Sequence, residues 1–156
     1  MTEVFGIPII GTEKFKTSGK LQFAASILAE LMDNDNDGCA DDPNVLARLL
    51  KRMPNDFEGP TTTRRSLLLH NKHTDPWTDE IVEKLAKLGY TRKQFTYLDE
   101  CLPNKAGLKA SAEKDATMEE FLHFINDDGH KLAYPTIFGM SYTSQSTLTN
   151  AMDTAR

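Results

Sequence analysis

Residues 33–42, with the sequence DNDNDGCADD, constrain the fold more than any other stretch of the chain. Carboxylates at alternate positions followed by a glycine are typical of a tight loop around a hard cation. In such a loop the alternate side chains point inward, and the glycine allows the chain to turn back towards the ion. Apolar residues recur at helical spacing on both sides: Ala24, Ile27, Leu28 and Leu31 before the loop, and Val45, Leu46, Leu49, Leu50 and Met53 after it. The sequence therefore predicts a helix, an acidic loop and a second helix over about residues 20–53.

This layout resembles the EF-hand and the wider class of Asp-x-Asp-x-Asp-Gly calcium loops, which includes those of thrombospondin repeats and dockerins. The resemblance implies a calcium ion and assigns its ligands in chain order: Asp33, Asp35, Asp37, the carbonyl of Cys39, and Asp41. Asn44 stands where the EF-hand has a closing glutamate, so Asp41 or Asp42 would complete a shortened loop. Alternatively, the stretch is a solvated turn in which Asp42 only caps the helix that begins at Pro43.

The composition indicates one soluble domain. The chain has 156 residues, of which 39% are hydrophobic and 26% are charged, and this is enough for one sizeable core. A net charge of -5 with no basic stripe argues against a nucleic-acid partner, and no apolar run approaches the ~20 residues needed to cross a bilayer. We therefore expect a single domain over residues 1–156 whose partner is a protein or a small molecule, and not nucleic acid or a membrane.

The two cysteines bear on where the protein is found. Cys39 and Cys101 are compatible with one disulfide or with two free thiols. A disulfide would suit an extracellular setting, where abundant calcium also makes a weak site useful. The first residues lack the basic and apolar regions of a signal peptide, so either the protein is intracellular or its signal peptide is absent from this sequence. The coincidence of a possible disulfide with a calcium loop favours the second alternative, a secreted protein. The last helical pattern is still in progress at Arg156, which suggests a truncated or processed C-terminus.

Strand-like and helical segments alternate along the chain. The strand patterns cover residues 4–10, 64–70 and 94–98, and the later helical patterns cover residues 75–89, 117–129 and 144–156. Pro8 marks the first strand as an edge strand or as a strand with a break, and Gly89 and Gly129 are expected to end their helices. The sequence therefore predicts an α/β or α+β fold, with a small sheet, several packed helices and more helix than strand.

The helix predicted from residue 117 carries a second group of metal-ligand residue types. Glu119, His123 and Asn126 are spaced by four and three residues, so they share one face of the helix. A glutamate and a histidine one turn apart can both reach a metal ion, and Glu120 would lie where a zinc hydrolase keeps its general base. The motif Glu-Glu-x-x-His differs by one residue from the zincin motif His-Glu-x-x-His.

The surroundings of this helix resemble the metzincin branch of the zinc peptidases, because Gly129 and His130 follow the helix and Met140 follows in a predicted turn. The resemblance implies a zinc ion held by Glu119, His123 and His130, with Glu120 as the catalytic base. The sequence departs from the family because the first ligand is not histidine and because the glycine and the last histidine are adjacent.

A structural alternative explains the two glutamates without a metal. Residues 117–120, with the sequence TMEE, match a capping box in which Glu120 returns a hydrogen bond to the backbone of Thr117. Both glutamates would also favour the positive end of the helix dipole. Two functions follow from the sequence. One is a calcium-stabilised binding protein, and the other is a metal-dependent hydrolase with a structural calcium ion.

Overall fold

The chain folds into helices and a small mixed sheet in the computed structural model. The structure describes residues 1–71, 79–101, 115–140 and 145–155. Helix accounts for 48% and strand for 21%, so the predicted class and the predicted excess of helix are confirmed. The strands are β1 (Thr2–Val4), β2 (Ile7–Gly11), β3 (Met53–Pro54), β4 (Thr62–His70) and β5 (Tyr90–Tyr97). The helices are α1 (Glu13–Thr17), α2 (Lys20–Met32), α3 (Pro43–Leu50), α4 (Asp79–Lys87), α5 (Thr117–Phe124), a π-helix (Ile125–His130), α6 (Lys131–Ala133), α7 (Pro135–Phe138) and α8 (Thr147–Thr154).

Three parallel strands form the centre of the sheet. β4 pairs with β2 on one side and with β5 on the other, while the short strands β1 and β3 add antiparallel to β2 and β4. Parallel neighbours require crossover connections, and the chain supplies α1 to α3 between β2 and β4 and α4 between β4 and β5. The acidic loop lies within the first crossover, between α2 and α3.

The hydrophobic core consists of apolar side chains from β2, from β4, from the helices α1, α2, α3 and α5, and from the π-helix, together with Cys101. Its buried members are Ile7, Ile9, Phe15, Leu21, Ala24, Leu28, Met32, Val45, Leu49, Leu67, Leu69, Cys101, Phe121, Phe124 and Ile125. The helices on both sides of the acidic loop and the helix α5 therefore contribute to the same core. Among the described residues, no helix combines the length and the apolar character that a membrane span requires.

The predicted first strand is a β-hairpin in the structure. Phe5 and Gly6 have φ values of 48° and 79°, which fit a two-residue hairpin turn between β1 and β2. Of the two alternatives for this strand, the edge strand is wrong, because β2 lies between β1 and β4. The run is instead broken, at Phe5 and Gly6 and not at Pro8. Pro8 is tolerated there because it lies opposite Glu3 on β1, and the pairing with β4 begins only at Ile9.

The two glycines expected to end helices behave differently. Gly89 has a φ of 83° and its amide donates to the carbonyl of Ala86, so the predicted left-handed helix end is confirmed. The prediction for Gly129 is wrong, because the helical path continues through the π-helix and α6. A Cβ atom at Gly129 would lie 2.8 Å from Cγ1 of Val45, so this glycine permits close packing against α3.

Three of the predicted segments lie partly outside the described residues. These are the start of the helix at 75–89, the turn after Met140 and the start of the last helix. The last helix, α8, is preceded by its N-cap residue Ser146, whose hydroxyl accepts a hydrogen bond from the amide of Thr149 at 3.1 Å. The start of α8 is therefore capped by the side chain of the residue that precedes it.

Candidate metal centre

Backbone contacts close the acidic loop at both ends. The amide of Asp33 still donates to the carbonyl of Ala29, so the loop starts at the last turn of α2. The amide of Asp41 donates to the carbonyl of Met32 at 2.8 Å, and the carboxylate of Asp41 accepts from the amide of Asn34 at 3.1 Å. Residues 33–41 therefore form a closed loop whose two ends are held together.

Inside the loop, backbone amides hold the alternate carboxylates in place. The two oxygens of Asp33 accept from the amides of Asp37, at 3.0 Å, and Gly38, at 2.9 Å. The carboxylate of Asp35 accepts from the amide of Asp37 at 3.3 Å, and that of Asp37 accepts from the amide of Cys39 at 2.8 Å. Gly38 has a φ of 88°, a conformation that glycine adopts easily.

These hydrogen bonds gather three carboxylates into one cluster. Asp33, Asp35 and Asp37 each offer an oxygen, and the three oxygens lie within 4.8 Å of one another. Asp33 is buried, with 7% of its surface exposed, while the other two side chains are exposed. The cluster could hold a metal ion. We refer to it below as the acidic cluster.

Asp42, the last of the predicted loop ligands, caps α3. Its Oδ1 accepts from the amides of Asn44, at 2.9 Å, and Val45, at 3.0 Å, and from the hydroxyl of Tyr134 at 3.1 Å. Burial raises the pKa of Asp42, but these hydrogen bonds outweigh it, so the pKa is lower than its ordinary value. The structure therefore gives Asp42 the capping position, and neither it nor Asp41 belongs to the acidic cluster.

The cysteines are separate free thiols. Cys39 is exposed in the acidic loop, whereas Cys101 is buried in the core. The neighbouring carboxylate of Asp37 is the largest of several causes that raise the pKa of Cys39, so the thiol stays protonated near neutral pH. The alternative of one disulfide between the two cysteines is not found in the structure.

The second predicted group of ligands lines a surface cleft of about 640 Å³ along α5 and the π-helix. The cleft is lined by Asp115, Met118, Glu119, Leu122, His123, Ile125, Asn126 and His130. Nε2 of His123 lies 3.9 Å from Oε1 of Glu119. Across the described ranges, however, only the acidic cluster brings three or more potential ligand atoms within 4.8 Å of one another. Glu119, His123 and His130 share the cleft but do not converge on one point.

His130 is held at one end of this cleft. Its ring stacks on that of Phe138, with 4.7 Å between the ring centroids and 10° between the planes. Burial lowers the pKa of His130, and the carboxylate of Asp42 opposes this shift. A neutral imidazole is therefore expected near pH 7.

Glu120, the predicted catalytic base, faces away from the cleft. Its carboxylate accepts a hydrogen bond from the side-chain amide of Gln94 on β5, and Glu120 is not among the residues that line the cleft. Burial raises the pKa of Glu120, and the hydrogen bond from Gln94 opposes the shift. The carboxylate is thus used in a contact between α5 and the sheet.

The predicted capping box at the start of α5 is wrong. The helix begins at Thr117 itself, and the preceding residue Ala116 occupies the N-cap position without a side-chain hydrogen bond. The carboxylate of Asp115 accepts from the amide of Thr117 at 2.9 Å instead. Since Thr117 lies inside the helix, Glu120 cannot return the hydrogen bond that defines a capping box.

A buried ion network was missed by the sequence analysis. Asp128, on the π-helix, accepts from Nε of Arg65 at 3.1 Å and lies 3.0 Å from Nζ of Lys93. Arg65 also donates to the carbonyls of Arg48 and Lys51 at the end of α3. The available signal was an arginine at the start of an apolar strand, since a charge in that position requires a partner.

The remaining element of the metzincin resemblance is the turn at Met140. Met140 has 59% of its surface exposed, and the residues that follow it in the predicted turn lie outside the described residues. Comparison of the chain with protein-family models, with curated proteins and with solved structures finds no match. What the chain does must therefore be inferred from its own side chains.

Proposed function

We propose that this protein binds a calcium ion in the loop at residues 33–41 and that the ion stabilises the fold. The observation that supports this proposal is the acidic cluster, in which Asp33, Asp35 and Asp37 offer oxygens within 4.8 Å of one another. Because backbone amides already hold these carboxylates, little rearrangement is needed when an ion binds.

The residue types favour calcium over other cations. The cluster offers only carboxylate oxygens, and hard divalent cations prefer such ligands. Calcium accepts six to eight oxygens in a flexible arrangement, whereas magnesium needs a tight octahedron and retains its waters. A loop without the closing glutamate has fewer charges to offer, so we expect weak affinity and a contribution from water ligands. Magnesium should bind less tightly than calcium.

The position of the loop favours a structural role. The loop joins α2 to α3, and both helices bury apolar residues in the core, among them Leu28 and Leu49. Carboxylates that are close together repel one another in the folded loop, and a bound cation removes that repulsion. Binding to the folded state alone must raise the free energy of unfolding by mass action.

Thermal unfolding with and without calcium tests the proposal. Calcium at one hundred times its dissociation constant should add about 2.7 kcal/mol to the free energy of unfolding, and a chelator should reverse the gain. Asp35→Asn should abolish most of the calcium response, because it removes a charged ligand.

Asp42→Asn is the matched control, because it removes one negative charge next to the loop while asparagine still caps a helix. This variant should keep the calcium response. An equal response in both variants, no response in the unmodified protein, or equal affinity for magnesium would contradict the calcium site.

The alternative function is that of a zinc-dependent hydrolase, and one observation favours it: Glu119 and His123 lie 3.9 Å apart in a cleft that also contains His130. The orientation of Glu120 argues against its predicted role as the catalytic base, because its carboxylate accepts a hydrogen bond from the side chain of Gln94. Protein purified without chelator should contain near-stoichiometric zinc if this alternative holds, and His123→Ala should remove it. Calcium without zinc, and no peptidase activity after zinc is added, would exclude this alternative.

A further inference from the structure

The outer face of α5 and the start of the π-helix carry two parallel stripes of side chains. Met118, Leu122 and Ile125 form an apolar stripe at positions i, i+4 and i+7, and Glu119 and His123 begin the polar stripe beside it. Met118 and Leu122 remain 50% and 46% exposed, whereas Ile125 is buried at 4%. The cleft therefore has an apolar floor that is open to solvent along one side.

The acidic residues among the described lining residues give this floor charges of one sign. Asp115 and Glu119 bring two carboxylates to the cleft, and none of the described residues that line it is a lysine or an arginine. The side chain of Glu119 has 73% of its surface exposed and so remains available to a ligand. His123 and His130 are the histidines of this described lining, and within it no other side chain is basic. This described part of the lining therefore favours cations over anions.

We propose that this cleft binds a small amphiphilic ammonium compound, that is, an organic cation with one ammonium group on an apolar chain. The volume of about 640 Å³ lies within the range of small-molecule sites. The apolar part would cover Met118 and Leu122, and the ammonium group would lie near the carboxylates of Asp115 and Glu119. The adaptable side chain of Met118 suits ligands of variable shape.

This proposal goes beyond the calcium site and does not depend on it. The acidic cluster shares no residue with the cleft. The experiment can therefore be done at one fixed calcium concentration, so that the state of the loop is the same in every sample. Zinc is kept out of the buffer, because the alternative function uses Glu119 and His123.

The test compares three probes that share one chain and differ in charge: octylammonium, octyl glucoside and octyl sulfate. Binding to the full chain is followed by isothermal titration and by the shifts of backbone amide signals in NMR spectra, at probe concentrations below micelle formation. Octylammonium should bind most tightly and shift the signals of α5. Butylammonium should bind more weakly, since each buried methylene contributes about fourfold in affinity.

Two double variants separate the cleft charges from the net charge of the protein. Asp115→Asn with Glu119→Gln should weaken octylammonium binding by about tenfold, and asparagine at 115 can still accept the hydrogen bond from the amide of Thr117. Glu13→Gln with Glu80→Gln is the control, because both residues are exposed, lie outside the cleft and change the net charge equally. This control should bind octylammonium unchanged.

The apolar floor has its own variant. Leu122→Ala should weaken the binding of octylammonium and octyl glucoside alike, and because Leu122 is 46% exposed, the change should leave the fold intact. The proposal is overturned if octyl sulfate binds as tightly as octylammonium, if both double variants behave alike, or if no signal of α5 shifts.

Discussion

At the scale of single residues, the acidic stretch contains carboxylates with two different surroundings. The carboxylate of Asp33 accepts hydrogen bonds from backbone amides of its own loop, and its oxygens lie near those of Asp35 and Asp37. Asp42 accepts hydrogen bonds from two backbone amides in the first turn of α3 and from the hydroxyl of Tyr134. The donors that reach each carboxylate, and not its position in the sequence pattern, decide whether it can serve a metal ion.

Glu120 provides a prediction at this scale. Burial raises its pKa, so the folded state holds the proton more tightly than the unfolded chain does. The resulting stability is fully present below the ordinary carboxylate pKa and is lost as the pH rises through the raised value. Glutamine cannot ionise and can still accept a hydrogen bond from Gln94. As the pH rises from 4 to 7, the free energy of unfolding of the Glu120→Gln variant should therefore increase relative to that of the unmodified protein.

Urea unfolding at the two pH values measures this difference. Parallel pH profiles for the two proteins would show that Glu120 is solvated and would contradict the burial argument. A large loss of stability in the variant at pH 7 would show that the ionised carboxylate is required.

At the scale of elements, the π-helix and α3 pack closely because of one missing side chain. A Cβ atom at Gly129 would lie 2.8 Å from Cγ1 of Val45 and 3.3 Å from Cδ2 of Leu49. Val45 and Leu49 are themselves buried at 2% and 1% exposure, so they have little room to move. The contact also sets the distance between the helix after the acidic loop and the helix that carries His130.

Gly129→Ala should therefore destabilise the protein. Overpacking of a core costs about 1–3 kcal/mol, whereas replacing glycine by alanine in a helix gains about 1 kcal/mol, so we expect a net loss of about 1 kcal/mol. A double-mutant cycle with Val45→Ala identifies the cause, since removing the Val45 methyl groups relieves the clash. The double variant should lose less free energy of unfolding than the sum of the two single variants. Additive losses would mean that the two positions do not compete for space.

The sequence predicts those elements whose cause is local. The acidic loop and the glycine end of α4 follow from neighbouring residues, and both are found where the pattern places them. The packing of Gly129, the hydrogen bond of Glu120 and the third hydrogen bond of Asp42 depend on Val45, Gln94 and Tyr134. These partners are distant in the chain, so spacing alone could not assign the three contacts.

At the scale of the whole molecule, one ion network joins three parts of the fold. Arg65 on β4 and Lys93 on β5 both reach Asp128 on the π-helix, and Arg65 also bonds to two carbonyls at the end of α3. The side chains of Arg65 and Asp128 are only 7% and 13% exposed. The network therefore holds the π-helix against the parallel sheet and also connects it, through Arg65, to the end of α3.

Asp128→Asn should cost about 3 kcal/mol of the free energy of unfolding. Removing one partner of a buried ion pair costs about 3–5 kcal/mol, and the carbonyls around Arg65 reduce the loss towards the lower value. Glu80→Gln is the comparison, because Glu80 pairs with Lys84 at the surface, where solvent screens the pair and little stability depends on it. Urea unfolding measures both variants. Similar losses for the two variants would show that the network is solvated and contributes little.

The wide turn of the π-helix has a consequence for both the cleft and the ion network. A π-turn holds one residue more than an α-turn, so the segment from Ile125 to His130 behaves as an α-helix with one surplus residue. Without that residue, every later side chain would rotate by about 100° around the helix axis. Asp128 would then turn away from Arg65, and His130 would leave the cleft. The one extra residue of the π-turn thus allows the same helical segment to direct Asp128 towards the sheet and His130 towards the cleft.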